Sequence, residues 1–108
     1  MFQIDHSTHE GMPALRLVGE LNIYSVTEAR DQLCAALDQQ AVLRLSLAGL
    51  EEVDTSGIQL LVWLKQEAER LGKSLVLFAH SPAVVEGFDL LKVTGLFGDA
   101  ILLAPSVA

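Results

Sequence analysis

The sequence is poor in basic residues and in cysteine. It has 7 Lys and Arg against 14 Asp and Glu, so its formal net charge is −7 with histidine neutral. Nucleic acids and anionic membrane surfaces both attract clustered Lys and Arg, so this balance disfavours both partners. The one cysteine, Cys34, cannot form an internal disulfide. Its surroundings have helical spacing, which indicates a packed thiol rather than a catalytic one.

Long apolar runs and targeting segments are also missing. Runs such as "LVLFA" are far shorter than the roughly 20 residues that cross a bilayer. The first residues, "MFQIDHSTHEG", have neither the basic region nor the apolar core of a signal peptide. We therefore expect a cytoplasmic protein without membrane insertion. Because 108 residues can bury a core, and no linker or repeat is visible, we expect one domain over residues 1–108.

The chain also lacks the common short motifs of catalysis, metal binding and nucleotide binding. It contains no HExxH, CxxC, GxSxG, GxGxxG or GxxxxGK[ST] segment. His6 and His9 fall in a predicted polar loop, where surface histidines are the simpler interpretation. Glu51, Glu52 and Asp54 form an acidic cluster without a nucleophile or base nearby in sequence, so a solvated loop is expected. We therefore predict no enzymatic activity, no metal and no cofactor.

Apolar periodicity indicates strands that alternate with helices after an initial hairpin-like pair of strands. The predicted strands are "FQIDHS", "PALRLVGEL", "AVLRLSL", "KSLVLFA" and a last one within "VTGLFGDAILLA". The predicted order is strand-strand-helix-strand-helix-strand-helix-strand. It implies an α/β fold with a mixed sheet of about five strands, largely parallel in its later part, and three or four helices.

Polar residues and glycines predict where the helices begin and end. Ser25 and Glu28 have the spacing of a capping box at the start of the first helix. Gly72 suits the position just after the end of the second helix. Ser81 followed by Pro82 suits the N-cap and first position of the third helix.

A polar segment, Asp54-Thr55-Ser56-Gly57, stands directly before an apolar helical run and is called the knot below. Its side chains can accept hydrogen bonds from the free N–H groups of the first helical turn. A hydroxyl at this place also lies in the positive field of a helix N-terminus, where a phosphate of about −1.5 to −2 charges is tolerated. The residues alone leave two alternatives open: a plain cap, or a cap that is also a phosphorylation switch.

The helix after the knot offers two candidate partner contacts. With Gly57 taken as zero and about 100° per residue, one apolar stripe forms. Trp63 falls off that stripe, and Ile58 falls on its flank one residue past Gly57. A partly exposed tryptophan suits a binding hot spot, and we expect both residues to reach a partner. Burial of both flanks under neighbouring helices is the alternative.

At this point the residues resemble a known family. "VDTSGIQLLVWL" resembles the D-[ST]-[ST]-G-hydrophobic signature of STAS domains, the bacterial anti-sigma factor antagonists. "LVGELN", followed by a helix, is similar to the G-E-L-D segment of that family. About 35 residues separate the two segments, as in the family, and the order of elements matches over nearly the whole chain.

The resemblance implies a non-enzymatic regulatory module that binds an anti-sigma factor, which is itself a serine protein kinase. The kinase would phosphorylate Ser56, with Thr55 as the second choice, and a serine phosphatase would reset it. Asp54 would help to present the hydroxyl. Asn22 stands where the family often has Asp, so one charge is lost from the docking surface expected around Asn22, the knot and Ile58.

Two other functions remain as alternatives. The domain could be a STAS subunit that docks without phosphorylation, in a chemosensory or stress-signalling complex or on a lipid-transport ATPase. A small enzyme or nucleotide-binding protein is the other alternative, but no nucleophile–base pair or phosphate loop supports it.

Overall fold

Seven elements follow the predicted order in the computed structural model, which describes residues 1–91. The strands are β1 (Phe2–His9), β2 (Met12–Leu21), β3 (Val42–Val53) and β4 (Ser74–Phe78). The helices are α1 (Val26–Asp38), α2 (Thr55–Arg70) and α3 (Pro82–Leu91). The last predicted strand, within "VTGLFGDAILLA", lies outside the described residues. No helix among residues 1–91 combines the length and the apolar character needed to cross a bilayer.

The strands form one mixed sheet in the order β1-β2-β3-β4. β1 pairs with β2 antiparallel, whereas β2 with β3 and β3 with β4 are parallel. Both parallel connections step in the same direction across the sheet, so right-handed crossovers place α1 and α2 on the same face. α1 contacts α2, and α2 contacts α3. The predicted α/β fold with a mixed sheet is confirmed, with three helices and four strands in residues 1–91.

A tight turn joins β1 to β2, although the sequence shows no Asn-Gly signal there. Glu10 and Gly11 both have positive φ, 52° and 78°, and His9 pairs with Met12 across them. Two consecutive residues with positive φ match the twist of a two-residue hairpin. The prediction of a polar loop around His6 and His9 is therefore wrong, because both residues lie on β1.

The core lies between the sheet and the helices. Leu43, Leu45 and Leu47 alternate along β3 and are fully buried, as expected for the face of a strand covered by helices. α2 contributes the apolar stripe that the periodicity predicts; its buried members are Gly57, Ile58, Leu60, Leu61, Leu64 and Ala68. The helix lies over the sheet because this stripe can be removed from water only there.

The helix ends follow the predictions in two of three cases. Gly72 has φ of 71° directly after the α2 C-cap, and the Val84 N–H donates to Ser81 Oγ at 3.3 Å before α3. The Ser25–Glu28 capping box does not form. Ser25 Oγ instead accepts from the Asn22 N–H at 3.0 Å and donates to the Glu20 carbonyl at 2.8 Å, so it holds the loop before α1 rather than the helix.

β3 is longer than predicted and leads directly into the candidate site. It extends to Val53, so Glu51 and Glu52 are exposed strand residues rather than part of a loop. Val53, its last residue, pairs with Leu21, the last residue of β2. Because the two strands are parallel, the segments that follow them leave the same edge of the sheet side by side.

Candidate functional site

Two segments meet at the carboxyl edge of β2 and β3. One is the knot, and the other is the loop Asn22–Ser25, which we call the tip loop. The Asp54 backbone N–H donates to the Leu21 carbonyl at 3.2 Å, which continues the β2–β3 pairing one step beyond the strands. The segments "GELN" and "DTSG", about 35 residues apart along the chain, are thus neighbours in space.

Asp54 connects the two segments through both oxygens of its carboxylate. Oδ1 accepts a hydrogen bond from the Gly57 N–H at 3.0 Å, which makes Asp54 the N-cap of α2. Oδ2 accepts from the Ile23 N–H at 3.1 Å. A charged acceptor makes both bonds stronger than neutral ones. Of the three polar knot residues that could cap the helix, Asp54 is therefore the one that does, and it also holds the tip loop.

Gly57 allows the close approach of α2 to β2. A Cβ at this position would overlap the Leu21 carbonyl oxygen and would lie 2.9 Å from Val53 Cγ1. Real Cβ atoms do not tolerate such contacts with backbone, so any side chain here would push the helix away from the sheet edge. Position 57 therefore requires glycine, because no side chain fits between α2 and β2. The close approach also brings the hydroxyls of Thr55 and Ser56 near the tip loop.

Thr55 and Ser56 are the first two residues of α2, and their exposure differs. Thr55 is exposed, whereas Ser56 is half-buried. Neither side-chain hydroxyl makes a hydrogen bond to any of residues 1–91. Both stand where the unpaired N–H groups of a helix produce a positive field. Neither hydroxyl is therefore needed to hold residues 1–91 together. Thr55, the second choice for phosphorylation, is the more exposed of the two.

Asn22 shapes the tip loop from within. Its Oδ1 accepts from the Tyr24 N–H at 3.0 Å, and its own N–H donates to Ser25 Oγ at 3.0 Å. The residue is half-buried. The bond from the Tyr24 N–H requires the side-chain oxygen of an Asx residue and not its charge, so Asn can form it as well as Asp.

The most exposed apolar residues near the knot were not found from the sequence. Ile23 is 65% exposed and Tyr24 is 93% exposed. They sit adjacent on the tip loop, and we call them the tip pair. The available signal was their position, since two large apolar residues follow the end of a strand and precede a helix without belonging to the periodic pattern of either.

Ile58 does not belong to the surface around the knot, contrary to the prediction from its flank position. It is 1% exposed, and its side chain packs against Gly87 of α3. The helical wheel places Ile58 correctly beside the main stripe, but α3 covers that flank. Its side chain therefore contributes to the core and cannot meet a partner without unfolding.

Trp63 is half-buried and faces α1. The Arg30 guanidinium lies 4.6 Å from the centre of its ring, a cation–π contact. Both residues line a groove of about 260 Å³ between α1 and α2, together with Val26 and Leu60. Trp63 is partly exposed on the helix that follows the knot, as predicted, but the Arg30 guanidinium already covers one face of its ring.

The surroundings of the tip loop are acidic. A cavity of about 420 Å³ is lined by Met1, Glu20, Tyr24 and Glu28 among others, and no Lys or Arg side chain of residues 1–91 lines it. The Met1 amine donates to Glu20 Oε1 at 2.7 Å, and this bond lowers the pKa of the Glu20 carboxyl. Within residues 1–91 no group of three or more His, Cys, Asp or Glu could hold a metal ion.

Comparison with known proteins gives the class to which this fold and site belong. The family model described as "Mlab, STAS domain" matches residues 4–103. The chain belongs to the STAS domain family. An anti-sigma F factor antagonist from Lysinibacillus sphaericus is 32% identical over 90 residues, which cover 82% of this chain and 76% of the relative.

Two solved structures share the fold at similar identity. The anti-sigma factor antagonist SpoIIAA in its unphosphorylated form has a TM-score of 0.68 and 26% identity, covering 93% of this chain and 88% of that one. The Bacillus cell fate determinant SpoIIAA in the phosphorylated form has a TM-score of 0.63 and 25% identity, covering 93% and 91%. The predicted family is thus confirmed, and its antagonist members are regulatory proteins.

Proposed function

We propose that this chain is an anti-sigma factor antagonist, a non-catalytic module that binds an anti-sigma factor with serine kinase activity in a partner-switching pathway. Support comes from the relative in Lysinibacillus sphaericus, which is named an anti-sigma F factor antagonist. The exposed, acidic edge formed by the knot and the tip loop is the surface that we assign to this binding.

The observation that carries the proposal is the geometry of the knot. Asp54 already supplies the cap of α2, so the hydroxyls of Thr55 and Ser56 are not needed to hold the helix. A group added to either hydroxyl leaves the cap in place. The helix N-terminus also tolerates added negative charge. A hydroxyl in this setting can be modified and restored without unfolding the domain.

The modification that we propose is phosphorylation of Ser56. The Ser56 oxygen attacks the γ-phosphorus of ATP in the kinase, its proton passes to a base of the kinase, and ADP leaves. The phosphatase hydrolyses the phosphoserine to serine and inorganic phosphate. SpoIIAA has been solved in an unphosphorylated and in a phosphorylated form, which is consistent with such a cycle in a similar protein.

The added charge would weaken the complex by two routes. A phosphate adds about −1.5 to −2 charges beside Glu51, Glu52 and Asp54, and this charge must lose its hydration where the partner covers the half-buried Ser56 position, a cost that outweighs its attraction to Lys or Arg side chains farther away. It also occupies space at a surface that the partner must approach closely. A difference of a few kcal/mol in binding free energy between the two forms shifts occupancy by orders of magnitude.

The test is mass spectrometry of the purified chain after incubation with ATP and the anti-sigma factor kinase of its own host. We expect one phosphate on wild type and none on Ser56→Ala. Thr55→Ala is the matched control, because it removes the neighbouring and more exposed hydroxyl. Phosphate that persists on Ser56→Ala and disappears from Thr55→Ala would move the assignment to Thr55.

A binding measurement separates the proposal from the unmodified docking subunit. Ser56→Asp is expected to lose the anti-sigma factor in a pull-down, whereas Ser56→Ala should retain it. Equal binding by both variants, with no phosphate on wild type, would favour a STAS subunit that docks in a signalling complex or on a lipid-transport ATPase.

A further inference from the structure

We propose that the tip pair, Ile23 and Tyr24, is the apolar anchor by which the chain holds its anti-sigma factor, and that the partner offers an apolar pocket bordered by Lys and Arg. This inference rests on the proposed function and names the part of the surface that supplies the affinity. Neither residue is assigned a role by the sequence motifs of the family, which stop at Asn22 and begin again at Asp54.

The exposure of the tip pair has no explanation within the fold. Tyr24 is 93% exposed, so its ring stabilises nothing in residues 1–91. Tyrosine is among the residues that most often carry binding energy, because it brings a large contact area with few rotatable bonds. A neighbouring isoleucine that is 65% exposed enlarges the patch. Adjacent large apolar residues on a loop beside a binding site indicate a contact surface.

The backbone of the tip loop is held in place before any partner arrives. The Ile23 N–H is bound by Asp54, and the Tyr24 N–H by the Asn22 side chain. Ser25 Oγ bridges the Asn22 N–H and the Glu20 carbonyl. Because these hydrogen bonds already fix the loop, it loses little conformational entropy on binding. More of the free energy gained by contact of its exposed side chains therefore remains as affinity.

Charge complementarity identifies the kind of partner surface. Glu20 and Glu28 line the cavity beside Tyr24. Glu20 is paired with the Met1 amine, but no Lys or Arg side chain of residues 1–91 lines the cavity, so the Glu28 carboxylate has no cationic partner among these residues. Glu51 and Glu52 lie at the same edge of the sheet, close enough to raise the pKa of the Met1 amine after the larger effect of its hydrogen bond to Glu20. A surface of this charge attracts Lys and Arg and rejects an acidic partner.

The tip pair is tied to the switch by one side chain. The carboxylate of Asp54 accepts from the Gly57 N–H at the start of α2 and from the Ile23 N–H on the tip loop. A phosphate on Ser56 would be attached two residues from this carboxylate, at the same helix N-terminus. The anchor and the modified residue therefore belong to one hydrogen-bonded unit, and a partner that covers one approaches the other.

The experiment measures binding of the host's purified anti-sigma factor to the intact chain by titration calorimetry. Tyr24→Ala is expected to weaken binding by at least about tenfold, and Ile23→Ala by less, since the smaller side chain is less exposed. Met12→Ala is the matched control. Met12 is also an exposed apolar residue, 48% exposed, but it lies at the opposite end of β2.

The possible results distinguish failure of the proposed function from failure of this inference alone. Wild type that fails to bind would remove the proposed function and this inference with it. Wild type that binds, with Tyr24→Ala binding equally well, would overturn the inference alone. Weakening by Met12→Ala to the same degree would also overturn it, because the effect would not be specific to the tip pair.

A second pair of variants tests the charge of the partner. Glu28→Gln, at the cavity, is expected to slow association about twofold or more at low salt and to reduce the salt dependence of the rate. Glu69→Gln removes one carboxylate from the exposed surface of the far end of α2 and should leave the rate unchanged. Equal rates for Glu28→Gln and wild type would contradict a basic partner surface.

Discussion

The two apolar groups that flank the knot have opposite environments. Ile58 follows it on α2 and is 1% exposed, whereas Tyr24 lies beside it on the tip loop and is 93% exposed. The sequence marks Ile58 as the candidate contact, because it adjoins a recognisable motif. The structure places Ile58 in the core and Tyr24 on the surface. Nearness to a motif along the chain is thus a poor guide to exposure when a third element covers one side.

The difference also separates stability from binding. A residue packed in the core contributes to the free energy of unfolding, and a residue in water contributes only when a partner covers it. Changes at Ile58 should therefore alter stability without a specific effect on the partner. Changes at Tyr24 should do the reverse. The experiments below would break or sharpen this contrast.

Ile58→Ala is expected to have the largest effect on stability. Removing a buried isoleucine that packs on Gly87 leaves a cavity and should lower the free energy of unfolding by about 2–5 kcal/mol. Urea unfolding followed by circular dichroism measures this. A loss below about 0.5 kcal/mol would mean that Ile58 is exposed after all.

Gly57→Ala is expected to cost about 1–3 kcal/mol of unfolding free energy, because its Cβ would overlap the Leu21 carbonyl. The same unfolding experiment applies. Gln59→Ala, at an exposed position of the same helix, is the control and should change stability little. Equal stability of Gly57→Ala and wild type would show that α2 does not need its close approach to β2.

Asp54→Ala is expected to cost about 1–2 kcal/mol, through loss of a charged N-cap. Asp54→Asn keeps an oxygen for the Gly57 N–H but offers no second oxygen to Ile23, so its cost should be smaller. Amide hydrogen exchange by NMR should then speed up at Ile23. Exchange at Ile23 that is unchanged in Asp54→Asn would remove the tie between knot and tip loop.

Tyr24→Ala should have the smallest effect on stability, within about 0.5 kcal/mol of wild type. The measurement is again urea unfolding, run beside Ile58→Ala so that the two sides of the knot are compared directly. A stability loss as large as that of Ile58→Ala would mean that the ring is packed and would weaken the assignment of the tip pair to a partner.

Much of the fold follows from periodicity and from residues that begin or end helices. The apolar stripe of α2, its end at Gly72 and the Ser81 cap of α3 were all predicted, because these signals are local. The Ser25–Glu28 capping box was wrong for the opposite reason. Ser25 Oγ accepts from the Asn22 N–H in place of a helix N–H, and it donates to the Glu20 carbonyl. Only the folded loop brings these two groups near Ser25.

The positions of the knot residues could be predicted because they depend on local structure. Asp54, Thr55 and Ser56 stand where the motif indicated, since a strand-to-helix cap is a local structure. The second bond of Asp54, to Ile23, depends on parallel pairing of β2 with β3. No spacing along the chain predicts such a bond before the order of strands is known, and the tip pair was missed with it.

The measurement that tests the central claim most directly uses the chain with phosphoserine installed at position 56 during synthesis, so that no kinase is required. Its affinity for the host's anti-sigma factor is compared with that of the unmodified chain by titration calorimetry. We expect the phosphorylated form to bind at least about tenfold more weakly, which corresponds to about 1.4 kcal/mol. Equal affinity of the two forms would contradict a switch at the knot.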